Sequence, residues 1–159
     1  MFWKAVEKTI NKMNMVGAVC LAGMTLLTCA DVVGRFFRHP IFGSVELVGY
    51  MAILAVAMAM PHIDRNKGHV AVEIIVRLLP EKVQCIFELC TRLFSTALFA
   101  IIAWRTVLYA STMQKSGEVS MNLEFPEYII IYTVGFCFIL LTLTALQDII
   151  KAVIELRNK

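Results

Sequence analysis

Asp31, Arg35, Arg38 and Glu46 stand in the stretch DVVGRFFRHPIFGSVELVGY, between two runs, Met13 to Ala30 and Leu47 to Ile63, that hold no Asp, Glu, Lys or Arg. A carboxylate at the edge of an apolar run can serve two kinds of chemistry. Free, it takes up and releases a proton, the coupling step of a proton-driven carrier; paired, it ties down a helix end. Arg35 lies one helical turn beyond Asp31, so an intrahelical pair is the local solution. A pair with Glu46, across HPIFGS, is the tertiary one. Ser44 is placed to cap the helix that follows, with Glu46 in its first turn, where the helix dipole favours negative charge.

Other reactive side chains form no constellation. A haem- or quinone-binding anchor needs histidines inside spans, but His39 is in a turn, His62 beside Pro61 at the end of a run, and His69 in a polar segment. The chain has no nucleophile motif, metal-ligand cluster or glycine-rich phosphate loop, so it does not read as an enzyme. Cys20, Cys29 and Cys137 fall in apolar runs and behave as small hydrophobes. Cys85 and Cys90 have no metal-ligand spacing, and no disulfide framework is indicated.

The elements that position these residues follow from composition. In 159 residues, 59% are apolar and 17% charged, with mean hydropathy +0.75, values far from an ordinary soluble domain. Met13 to Ala30, Leu47 to Ile63 and Tyr128 to Gln147 are free of charged residues, and a bilayer core needs a helix of about 20 residues. A further run, Leu93 to Trp104, is bracketed by Arg92 and Arg105, whose long stems can reach toward opposite interfaces. The expectation is an all-α integral membrane protein, one domain over 1–159, with four spans at about 13–34, 45–63, 87–112 and 127–150. On this reading no span carries an acidic or basic residue near its centre. Thr25, Thr28, Thr133, Thr142 and Thr144 are the main polar groups inside spans, each expected to bond its own helix.

Orientation follows from basic residues, which concentrate in cytoplasmic segments. With the N-terminus inside, only Arg35, Arg38, Arg105 and Lys115 of the fifteen lysines and arginines fall outside. Both termini are therefore expected in the cytoplasm. The net charge of +3 reports this anchoring and not nucleic-acid affinity.

Lys4, Lys8 and Lys12 before an apolar run resemble a signal peptide, but the run is long and further spans follow, so an uncleaved first helix is expected. Phe2, Trp3, Val6 and Ile10 share one face of the first dozen residues, which suits a short interfacial helix running into the first span. Residues 66–80, read as a helix, place Val70, Ala71, Ile74, Ile75 and Leu78 on one side and His69, Glu73 and Arg77 on another, as for a helix lying at the cytoplasmic interface. Pro126 with Glu127 marks the start of the last span.

Small residues mark candidate contacts. Gly49, Ala52, Ala55 and Ala59 recur at helical spacing in the second span, and Gly17, Ala18, Ala22 and Gly23 in the first. In lipid such faces let helices approach closely.

The ordered pattern D-x-x-x-R-F at Asp31 to Phe36, a Pro-containing aromatic turn, S-x-E at Ser44 to Glu46, an apolar helix, and R-x-x-G-H-V at Arg65 to Val70 resembles the small membrane subunit, the Q type, of tripartite ATP-independent periplasmic (TRAP) transporters. The resemblance covers nearly the whole chain, and Asp31, Arg35, Glu46, Gly68 and His69 carry it most specifically. It implies a three-part system in a bacterial inner membrane. A periplasmic substrate-binding protein captures an organic anion, such as a C4-dicarboxylate or sugar acid, and a large multi-span subunit moves it with a sodium gradient. The small subunit, embedded in the bilayer, extends the stationary scaffold. Na+ would then be a coupling ion of the large subunit, with no cofactor in this chain. The competing reading is a stand-alone four-helix proton-coupled exporter acting as a homo-oligomer, for which Asp31 is the nominee as coupling carboxylate.

Overall fold

A computed structural model describes residues 2–65 and 81–157, with side chains for 6–65 and 89–150. It contains α1 (Phe2–Phe36), α2 (Ser44–Arg65), α3 (Glu81–Ser116) and α4 (Tyr128–Arg157), and no strands among the described residues. Each helix carries a segment long and apolar enough to cross a membrane. The all-helical, four-span expectation therefore holds. The interfacial segment expected over 66–80 lies outside the described residues.

All four helices outrun the charge-free stretches that announce them, because the backbone keeps its hydrogen bonds beyond the apolar core. The opening residues, expected as an interfacial piece, are the first turns of α1 without a break. Their apolar face is used: Val6 is 7% and Ile10 1% exposed.

Chain reversal after α1 is encoded locally. The His39 amide donates to the Gly34 carbonyl at 2.8 Å and the Arg38 amide to that of Arg35 at 3.1 Å, the paired bonds of a Schellman motif. Arg38 takes the left-handed position, φ 61°, that glycine usually fills. Pro40 follows and cannot continue the helix. Gly34 is required here for room: a Cβ on it would sit 2.5 Å from the His39 oxygen.

The helices form a row in the order α1, α2, α4, α3, with neighbours packed pairwise. The spans of the two end helices are the least buried, 11% for α1 and 17% for α3, against 22% for α2 and 39% for α4. Close approach depends on small residues. A Cβ on Gly17 of α1 would lie 3.1 Å from the Ala55 carbonyl oxygen of α2, and one on Gly135 of α4 would lie 3.1 Å from a Val107 methyl of α3. Met13, Ala57, Cys137 and Leu140 form the buried cluster where α1, α2 and α4 meet. Leu26, Phe94, Ile101 and Trp104 are among many large apolar side chains left exposed. Water would penalise such a surface, whereas lipid or another apolar helix accepts it.

The start of α1 and the end of α4 lie at one end of the helices, the termini end, with the 37–43 turn and the 117–127 connection at the other. Polar ties cross between helices at the termini end. Glu7 pairs with Arg65, the Thr144 hydroxyl oxygen lies 3.4 Å from an Asp64 carboxylate oxygen, and Arg92 donates to the Asp148 carbonyl at 3.2 Å.

Candidate functional site: two carboxylate clasps at the turn end

Asp31 is 7% exposed, and both its oxygens are engaged. Arg35 Nε donates to Oδ2 at 2.8 Å, the one-turn pair that the spacing allows. The Ile41 amide, beyond the turn, donates to Oδ1 at 3.0 Å. The Ser44 hydroxyl, only 3% exposed, is a further polar neighbour. Asp31 thus binds the end of α1 to the far side of the turn. The first α2 backbone bond runs from the Leu47 amide to the Gly43 carbonyl at 3.1 Å. That gives the capping position to Gly43 and not to Ser44, which is buried.

Glu46 does not complete a cluster with Asp31 and Arg35. It belongs to a second clasp, built with the connection between α3 and α4. Its Oε2 accepts from the Ser120 hydroxyl at 2.8 Å and from the Leu123 amide at 3.1 Å. Its Oε1 accepts from the Asn122 amide at 3.0 Å and the Asn122 side chain at 2.7 Å. Four donors around one carboxylate satisfy it as an anion.

The connection is folded to present those donors. The Ser120 amide donates to the Phe125 carbonyl at 3.0 Å, Val119 pairs with Pro126 in an isolated antiparallel bridge, and Glu124 turns the chain at φ 50°. Leu123 closes over Gly43, where φ is +70° and an added Cβ would lie 2.6 Å from the leucine side chain. One turn along α2, the Tyr50 hydroxyl donates to Glu127 at 3.3 Å, with its ring 5.9 Å from that of Phe125. The clasp thus locks the two connections into one cap.

The small-residue face of α2 divides in two. Ala55 is buried beneath Gly17, Ala52 and Ala59 are half-buried, and Gly49 faces open space with nothing within 4 Å of an added Cβ. Gly68 and His69 lie outside the described residues. Ser120, Asn122, Tyr50 and Glu127 were not legible as site residues, since Glu46 meets the connection 74 to 77 positions away.

The register of α3 against α4 sets Arg105 level with Cys137, midway along the charge-free stretch of α4, and α3 continues past Arg105 to Ser116.

Inside the spans the threonines behave as expected. Thr25, Thr28, Thr133, Thr142 and Thr144 each donate to a carbonyl three or four residues earlier. Among the described residues no group of three His, Cys, Asp or Glu could hold a metal ion.

Four long apolar helices, with Asp31 and Glu46 clasped at one end, define a multi-pass helical membrane protein. The family of the DctQ component of tripartite ATP-independent periplasmic transporters matches residues 24–155. The chain belongs to that family and is a transporter component. No curated protein and no solved structure matches it.

Proposed function

We propose that this chain is the non-catalytic small subunit of a sodium-coupled, binding-protein-dependent carrier for organic anions, acting as a scaffold on the large transport subunit. The observation that carries the reading is that its two turn-end carboxylates are spent on the chain itself. Both Asp31 oxygens and both Glu46 oxygens hold donors, and the span threonines bond their own helices. A proton-coupled carrier acting alone needs a carboxylate free to exchange its proton.

The same contacts weigh against the proton-coupled exporter. A coupling carboxylate must release its partners to take a proton, whereas Asp31 binds the helix end to the turn. Substrate selection and the Na+ sites fall to the large subunit on this reading, and a periplasmic binding protein delivers the anion. The bias of lysine and arginine supports an inner-membrane orientation with both termini in the cytoplasm, and the amphipathic pattern of residues 66–80 supports an interfacial helix on that side.

Mild-detergent purification of the tagged chain, followed by reconstitution, tests the proposal. A large multi-span subunit is expected in fixed ratio, with sodium-driven uptake only when both membrane subunits and the binding protein are present. Transport by this chain alone would overturn the scaffold and return Asp31 to the role of coupling carboxylate. Arg35→Ala is expected to lower the amount of complex while leaving the sodium dependence of the remaining uptake unchanged.

A further inference from the structure

Three contacts fix the register of α3 against α4. The Tyr132 hydroxyl meets Gln114 at 3.2 Å, Gly135 closes on Val107, and Arg92 reaches the Asp148 carbonyl at 3.2 Å. Between the last two contacts Arg105 falls level with Cys137, midway along the charge-free stretch Tyr128 to Gln147. At 1.5 Å per residue that stretch is about 30 Å long, the thickness of a hydrocarbon core, which leaves Arg105 about 14 Å from either end.

Arg105 is exposed on the side of α3 away from α4, and among the described residues it has no hydrogen bond or ion pair. Ile101, Trp104, Leu108 and Tyr109 around it are exposed as well. The arginine stem covers only about half the distance to either interface. The Cα–Cβ bond tilts toward the helix N-terminus, so the stem leans toward the termini end, where the level of Thr144 and Asp64 is about 10 Å away. A bare guanidinium facing hydrocarbon at this depth is costly.

We propose that this face of α3 is where the chain meets the large transport subunit, and that Arg105 pairs there with a carboxylate on a partner helix near mid-membrane. The inference rests on the scaffold reading above and deepens it. Guanidinium geometry favours a carboxylate, which it can hold with two parallel hydrogen bonds. A second copy of this chain is disfavoured, since a two-fold contact on this face would bring two arginines together.

The test uses the whole complex in native membranes, with a photo-crosslinking residue at Ile101 or Leu108 on α3, or at Val19 or Leu26 on the exposed side of α1. Adducts with the large subunit are expected from Ile101 and Leu108. Arg105→Leu should lower recovered complex roughly tenfold or more, by leaving the partner carboxylate unpaired, without lowering insertion of this chain. Arg105→Lys should keep part of the complex.

Phospholipid adducts alone from the α3 positions, with large-subunit adducts from α1, would overturn the proposed face and leave the scaffold standing. Adducts between copies of this chain at α3 would overturn it in favour of self-association. Full recovery of complex with Arg105→Leu would remove the ion pair. Loss of every large-subunit adduct together with failure to co-purify would remove the scaffold reading itself.

Discussion

The turn end of the row and the middle of α3 treat charge in opposite ways. At the turn end, Asp31 and Glu46 receive donors on every oxygen, from Arg35, Ile41, Ser120, Asn122 and Leu123. Level with Cys137, Arg105 has no described partner and stands among exposed apolar side chains. Satisfied charges near the edge of an apolar layer fix the fold of the chain that holds them. A charge left open at mid-depth carries information about what lies outside that chain, because hydrocarbon supplies no counter-ion.

Breaking the turn-end clasps should separate these roles. Asp31→Ala is expected to have the largest effect on the chain itself, removing one partner of Arg35 and of the Ile41 amide together. The apparent melting temperature in detergent should fall on the order of 10 °C. Loss of transport coupling with melting unchanged would move Asp31 from structure to coupling.

Glu46→Gln should cost less, on the order of 5 °C, because the amide keeps an accepting oxygen but turns an NH2 toward amides that also donate. Limited proteolysis sharpens the point: cleavage within 117–127 should accelerate while the turn at 37–43 stays protected by Asp31. Equal loosening of both connections would show that the two clasps act as one.

The smallest effect is a gain. Arg38 holds a left-handed backbone, φ 61°, so Arg38→Gly should relieve about 1 kcal/mol of strain, less some loss to added unfolded-state entropy. A slightly raised melting temperature would register it. Lowered stability would mean that the Arg38 side chain contributes more than its backbone costs.

Much of the fold was legible because it depends on local rules. Long stretches without charge announced the spans, the one-turn spacing of Asp31 and Arg35 announced their pair, and each span threonine has a carbonyl of its own helix in reach. Pro126 and Glu127 lead into α4 as expected, with the Ile130 amide donating to the Glu127 carbonyl at 3.0 Å. The family could be named from the order of Asp31, Arg35, Glu46, Gly68 and His69 along the chain.

Longer-range partnerships were not legible. Nothing local to Glu46 points to Ser120, Asn122 and Leu123, and nothing local to Ser44 shows that Gly43 takes the capping position. The level of Arg105 beside Cys137 was not legible for a related reason, since it depends on how the neighbouring helix packs.

By itself the sequence determined that this chain is helical, that it crosses a membrane four times, and that its carboxylates gather near helix ends. Those properties follow from hydropathy and the 3.6-residue repeat, which need no distant contact. Only the tertiary structure decided the row order α1, α2, α4, α3, the closure of the 117–127 connection over Glu46, and the level of Arg105 beside Cys137. Each depends on the register in which helices pack, set where Gly17 meets Ala55 and Gly135 meets Val107. Such close approaches exist only once both helices are in place.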